Sequence, residues 1–188
     1  MRLYTGISLD PPVEEKLASM MDTLKPLADW KWSPRQNLHI TTKFIGEWPE
    51  SRLPELTAAL ADLGGRSPIT IAVAGFGWFP DAARPKSLYA AVHGSAALAA
   101  LARATDEALR PLGVAAEDHP YVPHVTLARI HDHNRCAPER KLPEHLAHMT
   151  DIQFGSFEAT AFHLYQSTPG PRASVYSKLA SFPLEVAA

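Results

Sequence analysis

The chain has 188 residues, enough for one domain or for two lobes that share a core, and it needs neither disulfides nor metals to fold. Its formal net charge of −2 argues against a broad basic surface that coats long nucleic acid, although a few local cations suffice for a pocket that binds one nucleotide or one RNA end. The chain has a single cysteine, Cys136, so an intrachain disulfide is excluded. We therefore expect the protein to be located in the reducing cytoplasm.

The hydrophobic pattern predicts eight strands and three helices in the order β-α-β-β-α-β-β-α-β-β-β. Prolines and an N-cap candidate start the first helix after Asp10, and glycines or prolines close each helix. We expect strands over 2–9, 30–32, 38–45, 69–79, 87–92, 122–130, 152–166 and 174–182. We expect helices from 11 to about 26–29, from 53 to 63 and from 96 to 109, and a polar loop over 131–148.

Most predicted strands are hairpin-like neighbours, and few strand–helix–strand crossovers occur. This order favours an α+β fold with antiparallel sheets that are covered by helices on one face. Gly75 and Gly77 interrupt a strand and predict a bulge or a bend. The first ten residues are not typical of a signal peptide, and no apolar stretch approaches the ~20 residues of a membrane helix.

Two copies of a His-x-Thr tetrad lie 85 positions apart, His-Ile-Thr-Thr at 39–42 and His-Val-Thr-Leu at 124–127. Side chains alternate along a strand, so His39 and Thr41 share one face, as do His124 and Thr126. The alternate positions are mostly apolar and suit packing beneath a helix. Two such strands facing one another would place two imidazoles and two hydroxyls around a single small anion.

This set of groups suits acid–base chemistry on a phosphoester. Histidine titrates near pH 6.5, so one imidazole can accept a proton from water while the other donates a proton to the leaving oxygen. The threonine hydroxyls can hold the non-bridging phosphate oxygens. Neither a metal ion nor a cofactor is needed, and a 2′,3′-cyclic phosphate is a natural substrate because its leaving alkoxide is poor and requires an acid.

The residues around both tetrads resemble one family along essentially the whole chain. They are W-x-W-S-P-R-Q-N-L-H-I-T-T-K-F-I-G-E and P-Y-V-P-H-V-T-L-A-R, together with the M-R-L-Y-T-G-I-S-L opening and the F-H-L-Y-Q-S segment near the end. They resemble the two-histidine phosphoesterases, in particular the LigT-like RNA 2′,3′-cyclic phosphodiesterases that were first described as 2′-5′ RNA ligases.

The resemblance implies one bilobal α+β domain over 1–188, in which two antiparallel sheets form a V-shaped cleft with helices on the outer faces. It also implies hydrolysis of a terminal 2′,3′-cyclic phosphate on RNA to a 2′-phosphate. In the family the first histidine is the proton donor and the second the acceptor, which maps to His39 and His124, with Thr41 and Thr126 as phosphate ligands. The residues alone do not separate donor from acceptor.

Three neighbours are further substrate-binding candidates. Regular alternation places Lys43 on the face of His39, where it would add positive charge, unless it is a solvated strand end. Arg129 offers a guanidinium for phosphate, but alternation places it opposite His124, so it reaches the cleft only if the strand bulges or ends before it. Tyr121 is the best of several aromatic residues for stacking on a base, although aromatics are more often part of a core. The others are Trp30, Trp32, Phe76, Trp78 and Phe79.

A metal site is a weak alternative reading of His119 with His131, Asp132 and His133, because a solvated loop explains that cluster better. We therefore expect no metal. Cys136 has no sign of a nucleophile's surroundings.

The sequence thus predicts an enzyme that acts on an RNA end or a nucleotide with a 2′,3′-cyclic phosphate, as a cytoplasmic monomer without an obligate protein partner or a membrane anchor. One alternative is a phosphodiesterase for small cyclic nucleotides or ADP-ribose cyclic phosphates. A second is a catalytically idle nucleotide-binding module, and a third is a pair of buried histidines without a site.

Overall fold

The computed structural model describes residues 1–94, 96–130, 146, 152–171 and 173–185, and within them nine strands and three α-helices. The strands are β1 (Arg2–Ser8), β2 (Lys31–Trp32), β3 (His39–Glu47), β4 (Ile69–Phe79), β5 (Ser87–Gly94), β6 (His124–Arg129), β7 (Gln153–Ala159), β8 (Ala161–Thr168) and β9 (Val175–Pro183). The helices are α1 (Pro11–Leu24), α2 (Leu53–Ala61) and α3 (Ala96–Leu109). All but one of the predicted elements are found, with bounds that differ by a few residues.

The strands form two sheets, which we call sheet A and sheet B. Sheet A has the order β3-β1-β8-β9, and sheet B has the order β2-β6-β5-β4-β7. Every pairing is antiparallel, as expected for an α+β fold. The two tetrad strands therefore belong to different sheets, β3 at one edge of sheet A and β6 inside sheet B.

The prediction of one long strand over 152–166 is wrong. The chain leaves sheet B at Ala159 and enters sheet A at Ala161, so the segment is two strands, β7 and β8. The backbone between them is held by a hydrogen bond from the amide of Leu184 to the carbonyl of Thr160. No glycine or proline marks the change of sheet, and the apolar pattern runs on across it.

The helices tie the two sheets together. Helix α1 follows β1 of sheet A but packs on β7 of sheet B through Val13, Leu17, Met21 and Leu24. Helix α3 follows β5 of sheet B but packs on β3 of sheet A and on α2. Its buried side chains recur at helical spacing, from Leu98 to Leu109. No helix in the described part of the chain is long and apolar enough to cross a bilayer.

Gly75 marks a bulge in β4, as predicted. Its φ of +74° is favourable only for glycine, and the pairing of β4 with β5 shifts between Val73 and Phe76. The predicted polar loop over 131–148 lies outside the described residues, except for the buried Leu146.

Candidate active site

One cleft of about 460 Å³ lies between the two sheets, a volume in the range of small-molecule sites. Both predicted tetrads contribute to its wall, with His39 and Thr41 from β3 and His124 and Thr126 from β6. The expectation that the two strands face one another is met, because β3 and β6 also contact each other directly. Two imidazoles and two hydroxyls thus converge on one space from different sheets.

The two histidines are held by the same local hydrogen bond. Nδ1 of His39 lies 2.6 Å from the carbonyl oxygen of Asn37, and Nδ1 of His124 lies 2.8 Å from the carbonyl oxygen of Val122. A carbonyl only accepts, so Nδ1–H donates in both rings and Nε2 is the nitrogen left to exchange a proton. Nε2 of His39 lies 3.1 Å from the hydroxyl oxygen of Thr41. Each tetrad therefore fixes its tautomer through the residue two positions earlier.

Burial disfavours the protonated form of both imidazoles in the unliganded protein. It lowers the pKa of His39 to about 4, against a smaller opposing effect of the Asn37 carbonyl, and the charge of His124 lowers it further. Burial also lowers the pKa of His124, and the nearby Arg129 acts in the same direction. A bound anion would favour the protonated form of each imidazole and would therefore raise both pKa values.

A bulge in β3 overturns the placement of Lys43. Gly6 of β1 pairs with Thr41 and Thr5 pairs with Lys43, so Thr42 is an extra residue. The bulge reverses the alternation beyond it, which turns Lys43 away from the cleft and leaves Phe44 on the cleft side, 58% exposed. The expectation that Lys43 shares the face of His39 is therefore wrong.

A bulge at the equivalent position of β6 brings Arg129 into the cleft. Tyr89 of β5 pairs with Thr126 and Leu88 pairs with Ala128, so Leu127 is the extra residue. The alternation reverses as it does in β3, and Arg129 lines the cleft together with Thr126. Phe44 and Arg129 thus occupy equivalent positions, each five residues after its histidine.

Two hydroxyls satisfy carbonyls beside the bulges, where the ladder is interrupted. The hydroxyl of Tyr121 donates to the carbonyl of Thr41 at 2.9 Å. The hydroxyl of Ser33 donates to the carbonyl of Thr126 at 2.8 Å. Tyr121 is half-buried against the core rather than in the cleft wall, and burial raises the pKa of its hydroxyl. Its contact is with the tetrad backbone, so the structure favours a positioning role over base stacking.

The LigT-like phosphoesterase family model matches residues 7–89 and 91–176. The chain belongs to the LigT-like phosphoesterase family. It is 30% identical to the RNA 2′,3′-cyclic phosphodiesterase of Methanocaldococcus jannaschii over 94% of this chain and 96% of the relative. It is 32% identical to the protein of the same name from Thermus thermophilus, over 98% and 90% of the two chains.

Solved structures of similar proteins have the same fold as this LigT-like phosphoesterase. A crystal structure of a Thermus thermophilus protein aligns with a TM-score of 0.82 at 28% sequence identity, over 98% of both chains. Escherichia coli LigT in complex with 3′-AMP aligns with a TM-score of 0.77 at 21% identity, over 97% of both chains. The resemblance read from the tetrads and their flanks is therefore confirmed.

Aromatic side chains enclose both histidines of the LigT-like cleft. The ring of His39 lies 4.7 Å from that of Tyr4 and 5.2 Å from that of Tyr176. The ring of His124 lies 4.8 Å from that of Phe79 and 5.3 Å from that of Tyr89. These rings remove water from the imidazoles and thereby lower their pKa values.

The aromatic neighbours were mostly missed by sequence reasoning. Tyr4 and Tyr176 contact His39 from β1 and β9, which are far from it in the chain. No local sequence pattern predicts such contacts. Of the predicted aromatics, Trp32 lines the cleft and stacks on Trp30 at 5.8 Å, while Phe79 touches His124. Trp78 packs edge-on against Trp30, and Phe76 against Phe154, in the core.

No group of three or more histidine, cysteine or carboxylate side chains able to hold a metal ion occurs within the residues that the structure describes. His119 is exposed there. Its suggested partners His131, Asp132 and His133, as well as Cys136, lie outside the described residues.

Proposed function

We propose that this phosphoesterase hydrolyses the terminal 2′,3′-cyclic phosphate of RNA to a 2′-phosphate, with His39 and His124 as the acid–base pair. The observation that carries the proposal is the pair of Nδ1-anchored imidazoles, one from each sheet, in one cleft. The relatives at 30% and 32% identity are named for this activity. Both proton transfers are supplied by imidazole, so the mechanism needs no metal ion.

In the proposed step, Nε2 of neutral His124 takes a proton from water as its oxygen attacks phosphorus. The bond from phosphorus to the 3′ oxygen breaks, and Nε2 of protonated His39 donates its proton to that oxygen. The phosphate remains on the 2′ oxygen. The assignment of His39 as the proton donor and His124 as the proton acceptor follows the family resemblance.

The bound anion sets the required protonation state. Its negative charge opposes the effect of burial and raises the pKa of His39, so that His39 is protonated when substrate is present. The hydroxyls of Thr41 and Thr126 hold the non-bridging oxygens, and Arg129 adds a fixed positive charge. Phe44, at the equivalent position of β3, offers an exposed ring to the nucleoside.

We extend the proposal to a cytoplasmic monomer that requires no protein partner. Both histidines, both threonines and Arg129 come from one chain and meet in one cleft. Sedimentation of the active protein at assay concentration tests this, and activity confined to a dimer would contradict it.

The proposal is tested with a short RNA that ends in a 2′,3′-cyclic phosphate, assayed in the presence of a chelator. We expect a 2′-phosphate product, and a fall in kcat of about 10²- to 10⁴-fold in His39→Gln and in His124→Gln. His93→Gln is the matched control, because His93 is exposed on β5 and outside the cleft wall. Tight nucleotide binding without turnover would instead support an idle binding module.

A further inference from the structure

Three cations line one side of the cleft, and we call Lys31, Lys86 and Arg129 the basic rim. Lys31 of β2 and Ser87 of β5 both pair with Arg129 of β6, on either side of it. Lys86 precedes Ser87, and its carbonyl accepts a hydrogen bond from the amide of Ile130. The backbone of the basic rim is thus fixed by the sheet B ladder.

The basic rim is electrostatically unfavourable when nothing is bound. Lys31 and Arg129 are directly opposite each other on neighbouring strands, so their side chains share a face, and like charges in that relation destabilise a sheet. All three side chains are exposed. None of the ion pairs found among the described residues involves them. An anion in the cleft would relieve this repulsion.

The charge of the cleft wall is opposite to that of the whole chain. The chain has 20 acidic and 18 basic residues, yet the described wall holds Arg2 and the three cations of the basic rim without one carboxylate. Such a local excess of positive charge is typical of sites that follow a nucleic-acid backbone.

The position of the basic rim separates it from the phosphate at the tetrads. A strand rises about 3.3 Å per residue, so Thr126 is roughly 7 Å along β6 from His124. Arg129 is roughly 13 Å from His124, because the bulge at Leu127 leaves four steps between their partners Ala91 and Ser87. Arg129 is close enough to His124 to lower its pKa, and Lys31 lies level with Arg129 on the neighbouring strand, while Lys86 precedes its other partner, Ser87. Lys31 and Lys86 therefore lie beside Arg129, at the end of the sheet B ladder that is farther from His124.

We propose that Lys31 and Lys86 bind the phosphodiester that precedes the terminal nucleotide, so that the preferred substrate is an RNA strand rather than a cyclic mononucleotide. This inference rests on the proposed hydrolysis of 2′,3′-cyclic phosphates. Arg129 is shared, because it faces both phosphates.

Three substrates test the upstream phosphate directly. They are a nucleoside 2′,3′-cyclic monophosphate, a dinucleotide with the same cyclic end, and that dinucleotide with an uncharged methylphosphonate linkage. We expect the wild-type protein to act on the dinucleotide with a kcat/KM at least tenfold above that for the mononucleotide. The methylphosphonate compound should lose this advantage, since it lacks only the upstream charge.

Two variants then assign the effect to the lysines. We expect Lys31→Met with Lys86→Met to reduce the ratio of kcat/KM for dinucleotide and mononucleotide about tenfold, and to weaken its dependence on salt. Lys16→Met is the matched control, an exposed lysine on α1 outside the cleft wall, and should leave the ratio unchanged.

The outcomes separate this inference from the proposed function. Equal kcat/KM for the three substrates, or an unchanged ratio in the double variant, would overturn the upstream site while the hydrolysis stands. A wild-type protein that opens none of the three would overturn the proposed function itself.

Discussion

His39 and His124 are held in the same way by a carbonyl two residues earlier, and burial lowers the pKa of both. The sequence predicts both residues and their threonines because a His-x-Thr segment is local. It does not predict the pKa values, because the burial of His39 comes from Tyr4 and Tyr176 on distant strands. The roles of the two imidazoles thus depend on tertiary packing.

The lowered pKa values predict how activity depends on pH. The proposed mechanism needs one protonated and one neutral imidazole, and kcat/KM reports the free enzyme. Because the pKa of His39 is about 4 and that of His124 also lies below its ordinary value, the singly protonated form declines above pH 6.5. We predict that kcat/KM falls about tenfold per pH unit on that limb.

The descending limb of the kcat profile should begin at a higher pH than that of kcat/KM, because the bound anion raises both pKa values in the complex. Initial rates at subsaturating and saturating substrate between pH 4 and 9 measure the two profiles. A kcat/KM that rises from pH 6.5 to 9 would contradict the assignment of an imidazolium as the proton donor.

At the scale of elements, matching bulges in β3 and β6 decide which side chains enter the cleft. Regular alternation predicts Lys43 inside and Arg129 outside, and the structure has the reverse for both. The extra residues are Thr42 and Leu127, and neither requires a special backbone conformation. The bulge of β4 was predictable because it contains Gly75, whereas these two leave no mark in the sequence.

Lys43 joins β3 to α3 and to the segment that leads to β6. It is 2% exposed, and its ammonium lies 2.8 Å from Oδ1 of Asp106 and 2.9 Å from Oε1 of Glu117. It also donates to the carbonyl of Ala115 at 2.7 Å. The ammonium holds the pKa of Asp106 below its usual range. The lysine that sequence reasoning placed at the substrate is a buried structural link between the lobes.

We predict that Lys43→Met lowers the free energy of unfolding by about 2 kcal/mol, because the buried ammonium's hydrogen bonds to Asp106, Glu117 and Ala115 are lost, while Asp106 keeps only its pair with Arg110 and the Glu117 amide. Lys25→Met is the matched control, since the Lys25–Asp22 pair is exposed and should contribute less than about 1 kcal/mol. Urea denaturation followed by circular dichroism measures both values. Equal losses in the two variants would show that the Lys43 link contributes no more than a surface ion pair.

At the scale of the molecule, the fold class was predictable from the order of elements. The sheet that each helix covers, and the point where the chain passes from sheet B to sheet A, were not predictable. Periodicity marks α1 and α3 as amphipathic and does not say that each covers the sheet it does not directly continue. Likewise β7 and β8 look like one strand, because nothing at Thr160 interrupts the apolar pattern. Such choices depend on which non-local surfaces fit together.

Because α1 and α3 each pack on the sheet that they do not directly continue, we predict one cooperative unfolding transition. Sheet A depends on α3, which continues sheet B, and sheet B depends on α1, which continues sheet A, so the two lobes should not unfold separately. Three of the four tryptophans, Trp30, Trp32 and Trp78, contact one another at sheet B, so fluorescence weights sheet B, whereas far-ultraviolet circular dichroism reports both sheets. Urea curves from the two probes should superimpose, and different midpoints would indicate independent lobes.

The central claim is that His39 and His124 work as one catalytic unit on a cyclic phosphate. The most direct test is the turnover of an RNA 2′,3′-cyclic phosphate by His39→Gln, His124→Gln and the double variant. Groups that act in one step are strongly non-additive, so we predict that the double variant is no more than about tenfold slower than the slower single variant. Losses that multiply, or a double variant that retains wild-type turnover, would contradict the claim.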